Sequence, residues 1–146
     1  GKGRVVYIPE IVPAIAPPRG GFNGNVPNEY WKLPLNWWEL NDAVKWASKD
    51  NITLEVDSPD YITAELLKQK NTGRYMLHLI NYRVNNECTD IGIKLRLPEN
   101  NDDFDITLYS PDIKSQVSLS PDFIDNELSF TVPFLDTYDL IVIQPK

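Results

Sequence analysis

Tyr75-Met76-Leu77-His78-Leu79-Ile80-Asn81-Tyr82, the second half of the stretch Tyr61 to Tyr82, decides how the fold is read. Leu77 and Leu79 fall on one face of this run, and Met76, Ile80 and Tyr82 fall on the other. A strand with apolar residues on both faces is expected to be covered on both sides, in the middle of a sheet. Before it, Ile62, Ala64 and Leu66 recur at period two, and the polar loop Asn71-Thr72-Gly73 separates the two runs. Gly takes positive φ without a Cβ penalty, so the pair reads as a β-hairpin.

The strand pattern extends outward from this hairpin. Ile52-Thr53-Leu54-Glu55-Val56 alternates and stops at Asp57-Ser58-Pro59-Asp60. Ile91, Ile93, Leu95 and Leu97 alternate with Gly92, Lys94 and Arg96 up to Pro98. Phe104, Ile106 and Leu108 form the next run, ended by Ser110-Pro111-Asp112, and Val117 with Leu119 a weaker one, ended by Ser120-Pro121-Asp122. Leu128, Phe130 and Val132 follow, and Tyr138 to Ile143 is apolar on both faces, hence central. About eight strands with turn signals every 8–12 residues predict a mainly β chain folded as an antiparallel β-sandwich.

Ahead of the strands the period changes. Asn36 to Lys49 reads as an α-helix, with Asn36 as N-cap and Glu39 completing a capping-box-like pair. Trp37, Leu40, Ala43, Val44 and Ala47 share one stripe, whereas Trp38 and Trp46 fall outside it. A helix with Trp on both sides is buried on both sides, binds something, or lacks a neighbour. Arg4-Val5-Val6-Tyr7-Ile8 reads as a short buried strand. Between it and the helix, Pro9 to Pro34 holds six prolines and three glycines without a period, the composition of a loop or extended arm. The expected organisation is an N-terminal strand, a Pro/Gly-rich arm and a helix over residues 1–50, the remnant of a preceding domain, then a β-sandwich over 51–146.

Composition narrows the function classes. The chain has 146 residues, a net charge of −7 and a pI near 4.6. Phosphate-rich partners and anionic membrane surfaces would repel it, so neither nucleic acid nor membrane is expected as a partner. Cys88 is the single cysteine, so no internal disulfide forms. No apolar run reaches the roughly 20 residues of a membrane-spanning helix. The chain opens on Gly1-Lys2-Gly3 without an initiating Met or a secretory signal pattern, and is expected to be a piece of a longer protein.

Three segments taken together carry a resemblance: Gly1-Lys2-Gly3-Arg4-Val5-Val6-Tyr7-Ile8-Pro9, Asn41-Asp42-Ala43-Val44-Lys45-Trp46-Ala47 and Leu77-His78-Leu79-Ile80-Asn81-Tyr82. In this order they resemble the C-terminal region of large bacterial glycoside hydrolases related to family 42 β-galactosidases. In that family a TIM-barrel catalytic domain is followed by a glutamine-amidotransferase-like trimerisation domain and a small β-sandwich. The resemblance implies that residues 1–50 close the middle domain and that the rest is the sandwich. It implies that the catalytic carboxylates lie outside this chain, that the partners are the other domains of the parent enzyme, and that the compartment is periplasmic or extracellular. The insert Ile11 to Pro34 is longer than the resemblance leads one to expect.

The residues themselves offer little catalytic chemistry. His78 is the only histidine and sits between two leucines, the setting of a packed or hydrogen-bonded strand histidine rather than a zinc ligand. Cys88 lies in the polar run Asn85 to Asp90 without an adjacent base, so no activated nucleophile is expected. Most acidic residues fall in turns, where carboxylates solvate the chain or cap backbone N–H groups. Glu99 to Asp103 lacks the spacing and central Gly of an EF-hand, and Gly20 to Gly24 lacks the Lys and following helix of a phosphate-binding loop. No catalytic residue, metal ligand or cofactor is therefore assigned. Aromatic residues are the remaining signal. Tyr30, Trp31, Trp37 and Trp38 cluster, and such rings stack on the C–H faces of sugars, so they are the candidate carbohydrate-binding residues. The competing expectation is that they pack in a core or a domain interface. The arm, through Ile11, Val12, Ile15, Phe22 and Val26, is expected to cover Trp38, and Trp46 is expected to be more exposed than Trp37.

Overall fold

The computed structural model describes residues 3–16, 32–83, 85–98 and 103–146. The chain divides into two compact units, Gly1–Asn51 and Ile52–Lys146.

The described residues of the second unit form an antiparallel β-sandwich of nine strands: β1 Leu54–Asp57, β2 Ile62–Lys68, β3 Tyr75–Asn81, β4 Cys88–Leu95, β5 Phe104–Tyr109, β6 Val117–Leu119, β7 Asp122–Ile124, β8 Glu127–Leu135 and β9 Tyr138–Pro145. One sheet has the order β1-β4-β8-β7 and the other β2-β3-β9-β5-β6. Leu77 and Leu79 of β3, Ile91, Ile93 and Leu95 of β4, Leu108 of β5, Val132 of β8 and Ile141 and Ile143 of β9 supply the buried core.

The deciding stretch is the β2–β3 hairpin, with Gly73 at φ 70° in its turn. β3 is central, paired with β2 and β9, but only one of its faces is covered. Tyr75, Leu77, Leu79 and Asn81 are buried, while Ile80 on the other face is 36% exposed. β9 repeats the pattern, with Asp139, Ile141 and Ile143 inward and Leu140 and Val142 only half-buried. Both strands are central because other strands flank them, not because layers cover both faces.

β7 is a strand that the Ser120-Pro121-Asp122 stop signal concealed. It pairs with β8 through Ile124↔Glu127, and Asp125 and Asn126 between them both take positive φ, the requirement of a tight primed turn. β4 begins at Cys88, three residues before the expected start at Ile91. The ladder passes from Thr89↔Phe134 to Ile91↔Val132, leaving Asp90 at φ 57° and Pro133 outside the pairing. Pro133 has no N–H to donate, and the ladder skips the one pair Asp90 and Pro133 while keeping the same register on either side, which lets an internal strand hold it. At this step the inward positions lie three apart on both strands, Cys88 and Ile91 on β4 and Val132 and Leu135 on β8, which breaks the alternation and hides the start of β4 from a period-two reading.

In the first unit, α1 spans Trp37–Ser48, and none of its residues is buried. Asn36 is its N-cap by position, but its side chain makes no capping hydrogen bond. It reaches back instead: Asn36 Oδ1 accepts from the Val12 N–H at 3.0 Å, and Nδ2 donates to the Glu10 carbonyl at 2.9 Å and to Glu39 Oε2 at 3.2 Å. Leu35 N–H donates to the Val12 carbonyl at 2.8 Å. The expected capping box is thus a clamp that fixes the arm to the helix start. Lys49 ends the helix in the left-handed region, and its flank closes through Asp50 N–H to the Lys45 carbonyl at 2.9 Å. Arg4–Ile8 is not a strand: it joins no ladder, and Val5 and Tyr7 are 89% and 83% exposed. A single extended segment has nothing to pair with unless a sheet lies beside it.

Candidate functional site

The four aromatic residues proposed for sugar binding divide. Tyr30 and Trp31 lie outside the described residues, while Trp37 and Trp38 open α1 and are 48% and 53% exposed. Successive helical positions diverge by about 100°, so these two indoles do not share one flat platform. Phe22 and Val26 of the arm also lie outside the described residues, and Trp38 and Ile11 are both exposed.

Trp46, near the other end of α1, is 50% exposed, indistinguishable from Trp37 at 48%, so the expected difference between them is absent. The Arg4 guanidinium lies 4.7 Å from the Trp46 ring centre, and Arg4 Nη1 donates to the Trp46 carbonyl at 2.7 Å. A cation on the last carbonyls of a helix complements its dipole, and the ring face adds a cation–π contact. Arg4 therefore joins the extended N-terminal segment to the end of α1, as Asn36 joins the arm to its start.

In the sandwich, His78 is a hydrogen-bonded strand residue. Its Nδ1 lies 2.8 Å from the Tyr138 hydroxyl, and its buried Nε2 has no partner among the described residues. Cys88 is buried at the start of β4 rather than in a polar turn, and burial, reinforced by the Asp90 charge, pushes its thiol pKa up, away from nucleophilic thiolate chemistry. Among the described residues no cluster of three His, Cys, Asp or Glu converges to hold a metal.

Asp139 is the polar residue that sequence reading missed. It is fully buried in β9, and neither carboxylate oxygen has a hydrogen-bond partner of good geometry among the described residues. Burial raises its pKa to about 6; Ser110 nearby opposes the rise, and the Asp112 charge adds to it. The register explains the neighbourhood, since Tyr109 pairs with Leu140, which brings Ser110 beside Asp139. The only available signal was an Asp at an inward position of the apolar run Tyr138 to Ile143. Asn81, also inward and buried, is by contrast fully engaged: its amide donates to the Asn86 and Asp136 carbonyls, both at 2.7 Å, and its Oδ1 accepts from the Arg83 N–H at 2.9 Å.

A groove of about 520 Å³ runs over the outer face of the four-stranded sheet. The register sets Glu55, Lys94, Ser129 and Asp122 in one row across it, and Asp57, Gly92 and Thr131 in the next. Arg96 pairs with Glu127 at 2.8 Å and Lys94 leans to the same carboxylate at 3.8 Å, which draws the basic groups to one end.

No protein-family model matches the chain, and no curated protein matches it in sequence. Solved structures do match in fold. An α-L-fucosidase isoenzyme 2 from Paenibacillus thiaminolyticus superposes with a TM-score of 0.59 at 19% identity, over 73% of this chain and 17% of that one. A cycloisomaltooligosaccharide glucanotransferase from a Paenibacillus species, solved with cycloisomaltoheptaose, gives a TM-score of 0.50 at 16% identity, over 62% of this chain and 16% of that one. The chain thus matches about a sixth of the length of each, and what it shares with both is a fold.

Proposed function

We propose that this chain is a non-catalytic accessory region of a multidomain carbohydrate-active enzyme, with a structural role in packing against the other domains. The supporting fold likenesses are to short parts of two long chains named for carbohydrate chemistry. The observation that carries the reading is the first unit. Among the described residues, twelve of the seventeen exposed large apolar side chains lie there, from Val5 to Trp46. A short amphipathic helix beside an unpaired extended segment gains too little burial to hold itself, so a covering neighbour is the economical explanation. That neighbour is the preceding domain of the parent polypeptide; the family 42 relation and the amidotransferase-like character of that domain belong to the same proposal.

Iodide quenching of single-Trp variants tests it. In this chain Trp37, Trp38 and Trp46 should quench to similar extents. In a protein extended upstream by its natural preceding residues, Trp37 and Trp46 should become protected. Equal quenching in both would remove the domain-interface reading.

A second reading has its own support in the half-exposed rings of Trp37 and Trp38. Each exposed indole could stack on a single sugar ring, with Tyr30 and Trp31 as further candidates for the same role. It predicts that an oligosaccharide protects Trp38 from iodide in a saturable way.

A further inference from the structure

We propose that the groove on the outer face of the β1-β4-β8-β7 sheet binds a neutral oligosaccharide, a site distinct from the tryptophans of α1; the ligand class rests on the carbohydrate-active reading above. The walls of the groove are the edge strands β1 and β7, and its floor is β4 and β8. Three strand spacings put those walls about 14 Å apart, wide enough for a chain of sugar rings. Asp57 rises from one wall and Asp122 from the other, with Gly92, Ser129 and Thr131 between them on the floor.

Each feature suits a polyhydroxylated ligand. The Asp57 and Asp122 carboxylates have no ion pair among the described residues, so their oxygens are available as acceptors. An ionised carboxylate accepts two hydroxyl hydrogens at once, and such charge-assisted bonds are the stronger kind. The Thr131 hydroxyl both donates and accepts, and the Ser129 hydroxyl, which donates to the Asp122 carbonyl at 3.5 Å, keeps its acceptor lone pairs. Gly92 leaves the middle of the floor bare, and a Cβ there would stand 3.3 Å from the Asp57 Cβ, so a larger residue would crowd the wall and fill the groove. Glu127 draws Lys94 and Arg96 toward one end, away from Gly92. A metal ion fits less well, because no three ligating side chains converge among the described residues. The groove contains no aromatic platform apart from the inward-facing Phe130, so binding should be weak and driven by hydrogen bonds.

Backbone amide NMR of the full chain, titrated with isomaltoheptaose and with β-1,4-galactotetraose, tests the assignment. Saturable shifts at Gly92, Lys94, Ser129 and Thr131 with one of these sugars are expected. Replacing both wall acids (Asp57→Ala with Asp122→Ala) should weaken binding about tenfold while the remaining spectrum shows an intact sandwich, a change equivalent to ~1.4 kcal/mol. Silence of these amides at millimolar concentrations of both sugars overturns the proposal. So do shifts confined to the Trp37 and Trp38 indoles, or groove shifts produced by calcium chloride or an oligolysine peptide and by neither sugar. None of these outcomes moves the quenching comparison with the upstream-extended protein, so failure of the groove and failure of the accessory-domain reading are separable.

Discussion

The two units of this chain have opposite ways of holding apolar residues. Among the described residues, every buried apolar side chain lies in the sandwich, whereas the single buried one in the first unit is Asn36, a polar clamp. The sandwich closes because two sheets share one set of inward residues, and each strand contributes alternate positions to it. The first unit has comparable apolar material, including three of the four tryptophans within α1, but among the described residues only one helix to carry it. The lesson is that apolar content does not make a core: a second layer does.

Truncation is the most severe way to break this contrast. Residues 52–146 alone should unfold in one cooperative transition, while a peptide spanning 1–51 should show little helix by circular dichroism. Its twelve-residue helix is at the length where isolated helices are marginal in water. A stably helical peptide would mean that the first unit holds its own structure.

Point substitution sharpens the same comparison. Leu79→Ala, at a fully buried position of β3, should cost about 2–5 kcal/mol in urea unfolding. Val44→Ala, on the exposed side of α1, should stay within about 0.5 kcal/mol. Comparable losses at both sites would place Val44 in a core.

A smaller effect should follow pH. The folded-state pKa of Asp139 lies above its ordinary value of 3.8, at about 6, so the native sandwich holds this proton more tightly than the unfolded chain. Its contribution to stability is therefore complete below about pH 4 and is lost as pH rises through about 6, on the order of 3 kcal/mol. Asp139→Asn removes the ionisation, and should raise stability at pH 7 relative to the natural protein and flatten the profile between pH 4 and 7. An unchanged profile would show that the carboxylate has found a partner or water.

Much of the architecture was legible in the order of residues. The β2–β3 hairpin could be read from two period-two runs around Asn71-Thr72-Gly73, and α1 from its 3.6-residue stripe, because both signals are local. The aromatic residues could also be identified, but not their arrangement: a helix turns Trp37 and Trp38 apart, and alternation says nothing about that. β7 and the start of β4 were hidden for a local reason too, since a stop signal and the positive-φ, unpaired Asp90 interrupt the pattern a strand needs to be seen.

Sequence alone determined that this chain makes hairpins and one amphipathic helix, since turn chemistry and hydrophobic period act over a few residues. Only the tertiary structure decided which strands become neighbours. The chain changes sheet five times, and β9, last in sequence, lies between β3 and β5. Pairings at that separation depend on which apolar faces exclude water together, and no short stretch of residues encodes that. The same holds for burial. Apolar residues on both faces of β3 led to the expectation of two covering layers, yet the sandwich supplies one, because burial belongs to the neighbours that a residue meets rather than to its own side chain.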